Sequence, residues 1–65
     1  MNTIPTVNNL GPDVEFFNVN GVPVAVDDVE AFRYDGASPE MFDLTSVMSD
    51  GVAISKAEFT KLLPS

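Results

Sequence analysis

The chain has 65 residues, enough for one small domain. It contains no cysteine and no histidine, which excludes disulfides and thiolate metal sites and removes the usual general base near neutral pH. Ten acidic and three basic residues give a formal net charge of -7. This charge argues against direct binding to nucleic acid, because phosphate contacts require Lys and Arg. A domain of this size buries only about 60% of the surface that its unfolded chain exposes, so we expect it to be stabilised by a partner or by oligomerisation.

The sequence also bears on location. No apolar run approaches the roughly 20 residues that a membrane helix needs, so we expect no membrane partner. The N-terminus shows no basic region followed by an apolar block, which is the pattern of a signal peptide. We therefore expect a cytoplasmic or virion-associated protein that is not secreted by a signal peptide.

Residues 1–13 are predicted to form an extended arm. Pro5 and Pro12 interrupt a polar stretch in which Ile4, Val7 and Leu10 are isolated apolar residues. This pattern is too sparse for a helix and too interrupted for a central strand. The arm is either a loose terminus or a strap whose three apolar side chains fit grooves on another chain.

Residues 14–26 carry the clearest local signal, two β-prone runs around Asn20-Gly21. An Asn-Gly pair predicts a hairpin with a two-residue turn. Val19 then pairs with Val22, and Phe17 and Val19 share a core face with the valines of the second run. Phe16 falls on the opposite, mixed face. Pro23 lies where its missing N–H would point away from the first strand, so it is expected to protect that outer edge from further pairing.

Residues 27–35 remain ambiguous. Asp27 and Glu30 have the spacing of a helix-start capping pattern, whereas Glu30, Phe32 and Tyr34 alternate as in a strand. A turn at Asp27-Asp28 would require Val26 to donate outward, although the first hairpin turns this donor inward. We favour a short helix or a loop here.

Two short helices are predicted in the C-terminal half. Ser38 and Pro39 resemble an N-cap and first helical position, which predicts a helix over about 39–48 ending before Gly51. Ser55 and Glu58 have the spacing of a capping box, which predicts a second helix over about 56–63. The fold class predicted is therefore α+β: an arm (1–13) and a mini-domain (14–65) with one hairpin (about 14–26) and two short helices.

No motif indicates chemistry. The serines have no histidine to activate them, the glycines lack phosphate-loop spacing, and acidic pairs such as Asp27/Asp28 need an enclosing cleft for acid–base work. We therefore assign no catalytic, cofactor-binding or metal-ligating residue, expect no cofactor, and predict a non-enzymatic protein.

The function predicted is protein–protein interaction. Aromatic residues are common at interfaces, and Phe16 and Phe42 fall off the predicted core faces. The candidate partner-binding residues are Ile4, Val7, Leu10, Phe16 and Phe42. They suit a small decorating or stabilising subunit of a larger particle, such as a phage-type virion, with that assembly or a second copy as partner.

The alternative is an acidic inhibitor that occupies the basic site of a nucleic-acid enzyme. Asp27, Asp28 and Glu30 would then be the critical residues. Such binding weakens steeply with salt, whereas apolar docking does not.

Overall fold

The hairpin belongs to a larger antiparallel sheet. The computed structural model describes residues 4–36 and 38–64. It contains strands β1 (Glu15–Val19), β2 (Val22–Asp27), β3 (Glu30–Arg33), β4 (Glu40–Phe42) and β5 (Gly51–Ile54), and helices α1 (Leu44–Asp50) and α2 (Lys56–Leu62). The strand order is β4-β3-β2-β1-β5. The prediction of a single hairpin is therefore wrong: its two strands belong to a five-stranded sheet, which two helices accompany.

The β1–β2 hairpin itself has the predicted register, with Val19 opposite Val22 and Glu15 opposite Val26. Asn20 and Gly21 adopt φ values of 55° and 89°, the left-handed pair that a two-residue turn requires. The Asn18 Oδ1 atom accepts a hydrogen bond from the Gly21 N–H at 2.6 Å. Local sequence therefore determines this turn.

Residues 27–35 form a turn and a strand, so the preference for a short helix or loop is wrong. The turn lies one residue later than the position considered: Asp27 pairs with Glu30, and Asp28 takes the left-handed φ of 59°. Backbone hydrogen-bonding groups point alternately to the two sides of a strand. Those of Val26 point toward β1, whereas those of Asp27 point toward β3, so the turn can follow Asp27 but not Val26. β3 then pairs with β2 over four residues.

Pro23 does not keep other strands away from the outer edge of β2, and that prediction is also wrong. β3 pairs along β2 from Val24 to Asp27, and the Tyr34 N–H donates to the Pro23 carbonyl oxygen at 2.9 Å. The proline removes only one donor, at the end of the ladder. Its ring is buried, so it also contributes to packing.

The predicted helix over 39–48 is replaced by a strand and a later helix. Glu40–Phe42 pair with β3 as an edge strand, and Phe42 packs against the core. Asp43 caps α1 instead of Ser38: its Oδ1 accepts from the Thr45 N–H at 3.2 Å. Both residues are good caps in sequence, and the pairing of Phe42 opposite Ala31 favours the later one.

The last predicted helix is present as α2, with the capping box of Ser55 and Glu58 formed in both directions. Between the helices, Gly51 ends α1 and begins β5, which pairs with β1. This strand was missed because its four residues read as a linker between helices.

The sheet is covered on both faces. On one face α1 completes a cluster, here called the α1-side cluster, with buried Val19, Val24, Ala31 and Val47. On the other, the α2-side cluster has buried Ala25, Phe32, Tyr34 and Phe59. The arm passes over the α2-side cluster and includes one turn of 3-10 helix, Val7–Asn9; residues 1–3 lie outside the described residues. The hairpin face that the sequence predicts as the core is the one covered by α1. The opposite, mixed face is also buried, as the α2-side cluster.

Candidate interaction surface

The five predicted partner-binding residues all contact the chain's own core. Ile4, Val7, Leu10 and Phe16 are partly buried against the α2-side cluster, and Phe42 packs on the α1-side cluster. The structure thus brings four of them together on one face and leaves Phe42 on the other. Their binding to a partner stays a prediction, but each has an intramolecular role.

Phe16 is held by the aromatic side chains that dock α2 on the sheet. Its ring centroid lies 4.6 Å from that of Phe59, whose side chain is fully buried. Tyr34 meets Phe59 edge-on, with centroids 5.7 Å apart. Such pairs stabilise a fold beyond their buried area alone. Contact with α2 therefore explains why an aromatic side chain lies at position 16, on the face opposite the predicted core.

Tyr34 also fastens the arm. Its hydroxyl donates to the Pro5 carbonyl oxygen at 2.8 Å. Burial raises the pKa of the Tyr34 hydroxyl above its ordinary value, and the charge of Asp27 raises it further. The hydroxyl therefore remains a protonated donor over the whole neutral range.

Among residues 4–36 and 38–64, four large apolar side chains are exposed instead. They are Val29 (71% exposed), Met41 (55%), Met48 (78%) and Val52 (64%). Val29 lies in the β2–β3 turn, Met41 on β4 and Met48 on α1. Two of the four lie on the edge strands of the sheet, Met41 on β4 and Val52 on β5.

The outer edge of β5 offers hydrogen-bonding groups to another strand. Since the two-residue turn makes Val19 and Val22 a hydrogen-bonded pair, Phe16 and Asn18 direct their backbone groups toward β5. Their partners there are Ile54 and Val52. The backbone groups of Gly51 and Ala53 therefore point away from the sheet.

This edge lacks the usual protection. Gly51-Val52-Ala53-Ile54 contains no charge and no proline, the two devices that most often keep edge strands from pairing. The opposite edge, β4, has Pro39 before it and Glu40 at its start. Of the sheet's two edges, β5 is thus the one suited to accept another strand.

A shallow cavity of about 240 Å³ adjoins β5 on the α2 side. It is lined by Asn18, Ile54, Glu58, Lys61 and Leu62. Val52 and Ile54 share this face because they are two residues apart on a strand. An apolar side chain from a neighbouring strand would meet the cavity here.

Charge is distributed unevenly along the chain. From residue 50 onward, Asp50 and Glu58 balance Lys56 and Lys61, so the net charge of -7 lies on residues 1–49. Arg33, the remaining cation, forms an ion pair with Asp35 at 2.6 Å, and this contact lowers the pKa of the Asp35 carboxyl. The β5–α2 region is therefore the electrically balanced part of the molecule.

Acidic residues collect at the end of the sheet that contains the β2–β3 turn, here called the acidic end. The strand registers and their flanking positions place six of the ten carboxylates there: Asp13, Glu15, Asp27, Asp28, Glu30 and Asp43. Asp27 and Glu30 are direct cross-strand neighbours. Within residues 4–36 and 38–64, no group of three such side chains has the arrangement of a metal site.

A second cavity, of about 260 Å³, lies between the arm and the C-terminal end of α2. Its lining is mostly apolar and includes Val7, Tyr34, Pro39 and Leu63. The Tyr34 hydroxyl already donates to Pro5. No described buried side-chain polar atom lacks a hydrogen-bond partner.

In the described part of the chain, no helix has both the length and the apolar character to cross a membrane. No protein-family model, curated protein or solved structure matches this chain.

Sequence reasoning missed the β5 edge as a candidate surface. The available signal was the uncharged run Gly51–Ile54, bounded by a glycine and by the capping box at Ser55. It is too short to identify a strand without knowing that β1 lies beside it.

Proposed function

We propose that this chain is a non-enzymatic interaction protein that docks through the outer edge of β5. The observation that carries the proposal is an edge strand without charge or proline, with Val52 exposed beside it. The finer form of the proposal is a small decorating or stabilising subunit of a larger particle, such as a phage-type virion, present in the cytoplasm or on that particle.

Strand addition explains how so small a surface can bind specifically. Backbone groups at Ala53 set the register, while alternate side chains such as Val52 select the partner. Each hydrogen bond contributes about 0.5–1.5 kcal/mol net, and full burial of a valine contributes about 1.5–3 kcal/mol. The apolar contact therefore contributes more than any single hydrogen bond, and binding by this edge should not weaken as salt rises.

A pull-down from the source lysate tests this proposal at low and at high salt. We expect the wild-type chain to retain a protein at high salt and Val52→Lys to lose it. Val29→Lys is the matched control, because it places the same charge on an equally exposed valine far from β5. Retention by Val52→Lys, or loss by both variants, would remove the β5 edge as the docking site.

The acidic end favours one second candidate function, the inhibitor of a nucleic-acid enzyme. Six carboxylates gathered at one end of a sheet form a denser negative surface than their spacing in the sequence indicates. Such a surface would attract the basic site of a DNA- or RNA-binding enzyme and lose affinity as salt rises.

The same pull-down distinguishes the two functions. An inhibitor would capture a nucleic-acid enzyme at low salt only, and Asp27→Lys with Glu30→Lys would abolish the capture, whereas Val52→Lys would not. The opposite pattern supports docking through β5.

A further inference from the structure

We propose that the occupant of the β5 edge is a second copy of this chain, paired antiparallel about a two-fold axis at Ala53. The proposal rests on the proposed docking function and names its partner. The two five-stranded sheets would then continue into one another across the dimer.

Backbone hydrogen bonding selects Ala53 as the centre. Of the outward-pointing residues, Gly51 already donates its N–H to the Val47 carbonyl oxygen. Beyond the strand, the Ser55 N–H donates to Glu58, and the Ser55 carbonyl oxygen accepts from the Phe59 N–H. Ala53 therefore has both outward groups available, and two copies can exchange both bonds there, as one antiparallel hydrogen-bonded pair does.

The side chains in this register complement themselves. With Ala53 opposite its own copy, Val52 of each chain lies opposite Ile54 of the other, on the α2 face. Ile54 lines the cavity beside α2, so that cavity receives the exposed Val52 of the neighbouring copy. On the α1 face, only the two small Ala53 side chains meet, which permits close approach of the strands.

Charge explains why a second copy can approach at this edge. Two chains with a net charge of -7 repel one another, but the balanced residues from Asp50 onward carry none of that excess. Of the acidic end, Glu15 lies nearest, two residues along β1 from Phe17, which is the partner of Ala53. The carboxylates of the β2–β3 turn lie beyond β1, on the side of the sheet away from β5. Dimerisation should therefore strengthen with salt, which screens the repulsion between the remaining surfaces.

The contact is short, so we expect a weak, concentration-dependent dimer. One shared strand edge and two side-chain cavities cover less area than the roughly 1,200–2,000 Å² of a stable complex. Analytical ultracentrifugation over a wide concentration range measures this directly. The expected result is a weight-average mass that rises from 7.0 kDa toward twice that value, and rises further in high salt.

Val52→Lys tests the register and Val29→Lys again serves as control. Loss of the two Val52–Ile54 contacts should raise the dissociation constant roughly tenfold or more, whereas Val29→Lys should not raise it. Because both valines are exposed, both variants should fold, and their thermal unfolding is measured beside the wild type. Amide exchange gives an independent signal: the Ala53 N–H should exchange more slowly as protein concentration increases.

Three outcomes would refute the proposed dimer, in which the β5 strands pair about Ala53. These are a wild-type chain that stays monomeric at every concentration, a dimer that persists unchanged in Val52→Lys, or an Ala53 amide whose exchange ignores concentration. A monomeric wild type that still captures another protein through Val52 would refute the second copy while supporting docking through β5. A monomer that captures nothing through Val52 would refute both.

Discussion

At the scale of single residues, Gly51 is the glycine with the least room for a side chain. It ends α1, begins β5 and donates its N–H to Val47. A Cβ at this position would press against the Val47 carbonyl oxygen and lie 3.2 Å from Val47 Cγ1. Since backbone is the obstacle, relief requires moving α1 relative to β5, the strand on which the proposed interaction surface depends.

We therefore expect Gly51→Ala to lower the free energy of unfolding by about 1–3 kcal/mol, the usual cost of overpacking. Gly11→Ala is the matched control, because nothing lies within 4 Å of a Cβ built there. Urea unfolding followed by circular dichroism measures both. Equal effects of the two substitutions would show that the close approach at Gly51 does not constrain the fold.

At the scale of elements, the start of α1 shows why local signals alone were insufficient. Ser38 and Asp43 are both good N-caps in sequence, but the structure uses Asp43, whose carboxylate also accepts from the Ser46 hydroxyl at 3.1 Å. We expect Asp43→Ala to lower the free energy of unfolding by about 1 kcal/mol and Ser38→Ala to leave it nearly unchanged. Thermal unfolding of the two variants compares them, and a larger effect of Ser38→Ala would restore the earlier helix start.

The elements that sequence identifies are those whose signals are local. Asn20-Gly21 determines its own turn, and Ser55 with Glu58 determines the start of α2. By contrast, the β2–β3 turn has Asp28 at a positive φ. The sequence has no glycine there, so the usual signal of such a turn is missing. β4 and β5 exist because β3 and β1 lie beside them, which is long-range information. The same limit applies to the candidate site, since an edge strand is defined by the sheet it borders.

Deleting the arm distinguishes two roles for it. If the arm packs on the chain's own core, its loss lowers stability; if it binds a partner, its loss abolishes partner capture. Ile4, Val7 and Leu10 are partly buried on the α2-side cluster, and Tyr34 bonds to Pro5. Deleting residues 1–10 should lower the free energy of unfolding by about 2 kcal/mol, since three half-buried aliphatic side chains lose their contacts. Chemical denaturation measures the loss. Unchanged stability together with lost partner capture would support the strap instead.

At the scale of the whole molecule, the uneven distribution of charge lowers the free energy of unfolding. Asp27 and Glu30 face each other directly across β2 and β3, and like charges in that arrangement are destabilising. Asp28 and Glu15 lie at the same end of the sheet. The balanced β5–α2 region carries no such repulsion. Salt should therefore stabilise the fold mainly by screening the repulsion at the acidic end.

Neutralising the acidic end should therefore stabilise the chain. We expect Asp28→Asn with Glu30→Gln to raise the free energy of unfolding by about 0.5–1 kcal/mol at low salt. The gain should fade as the screening length shrinks from about 30 Å at 0.01 M to about 3 Å at 1 M. Asn accepts the positive φ of Asp28 readily, so the change acts through charge and not through strain.

Asp35→Asn provides the control, because it removes one negative charge from a carboxylate that Arg33 already balances, and it should give no gain. Thermal unfolding of each variant at the two salt concentrations completes the comparison. A gain that persists at high salt would exclude electrostatic repulsion as its cause. A gain that disappears would show that the acidic end lowers stability, as expected of a surface kept for solubility or for a basic partner.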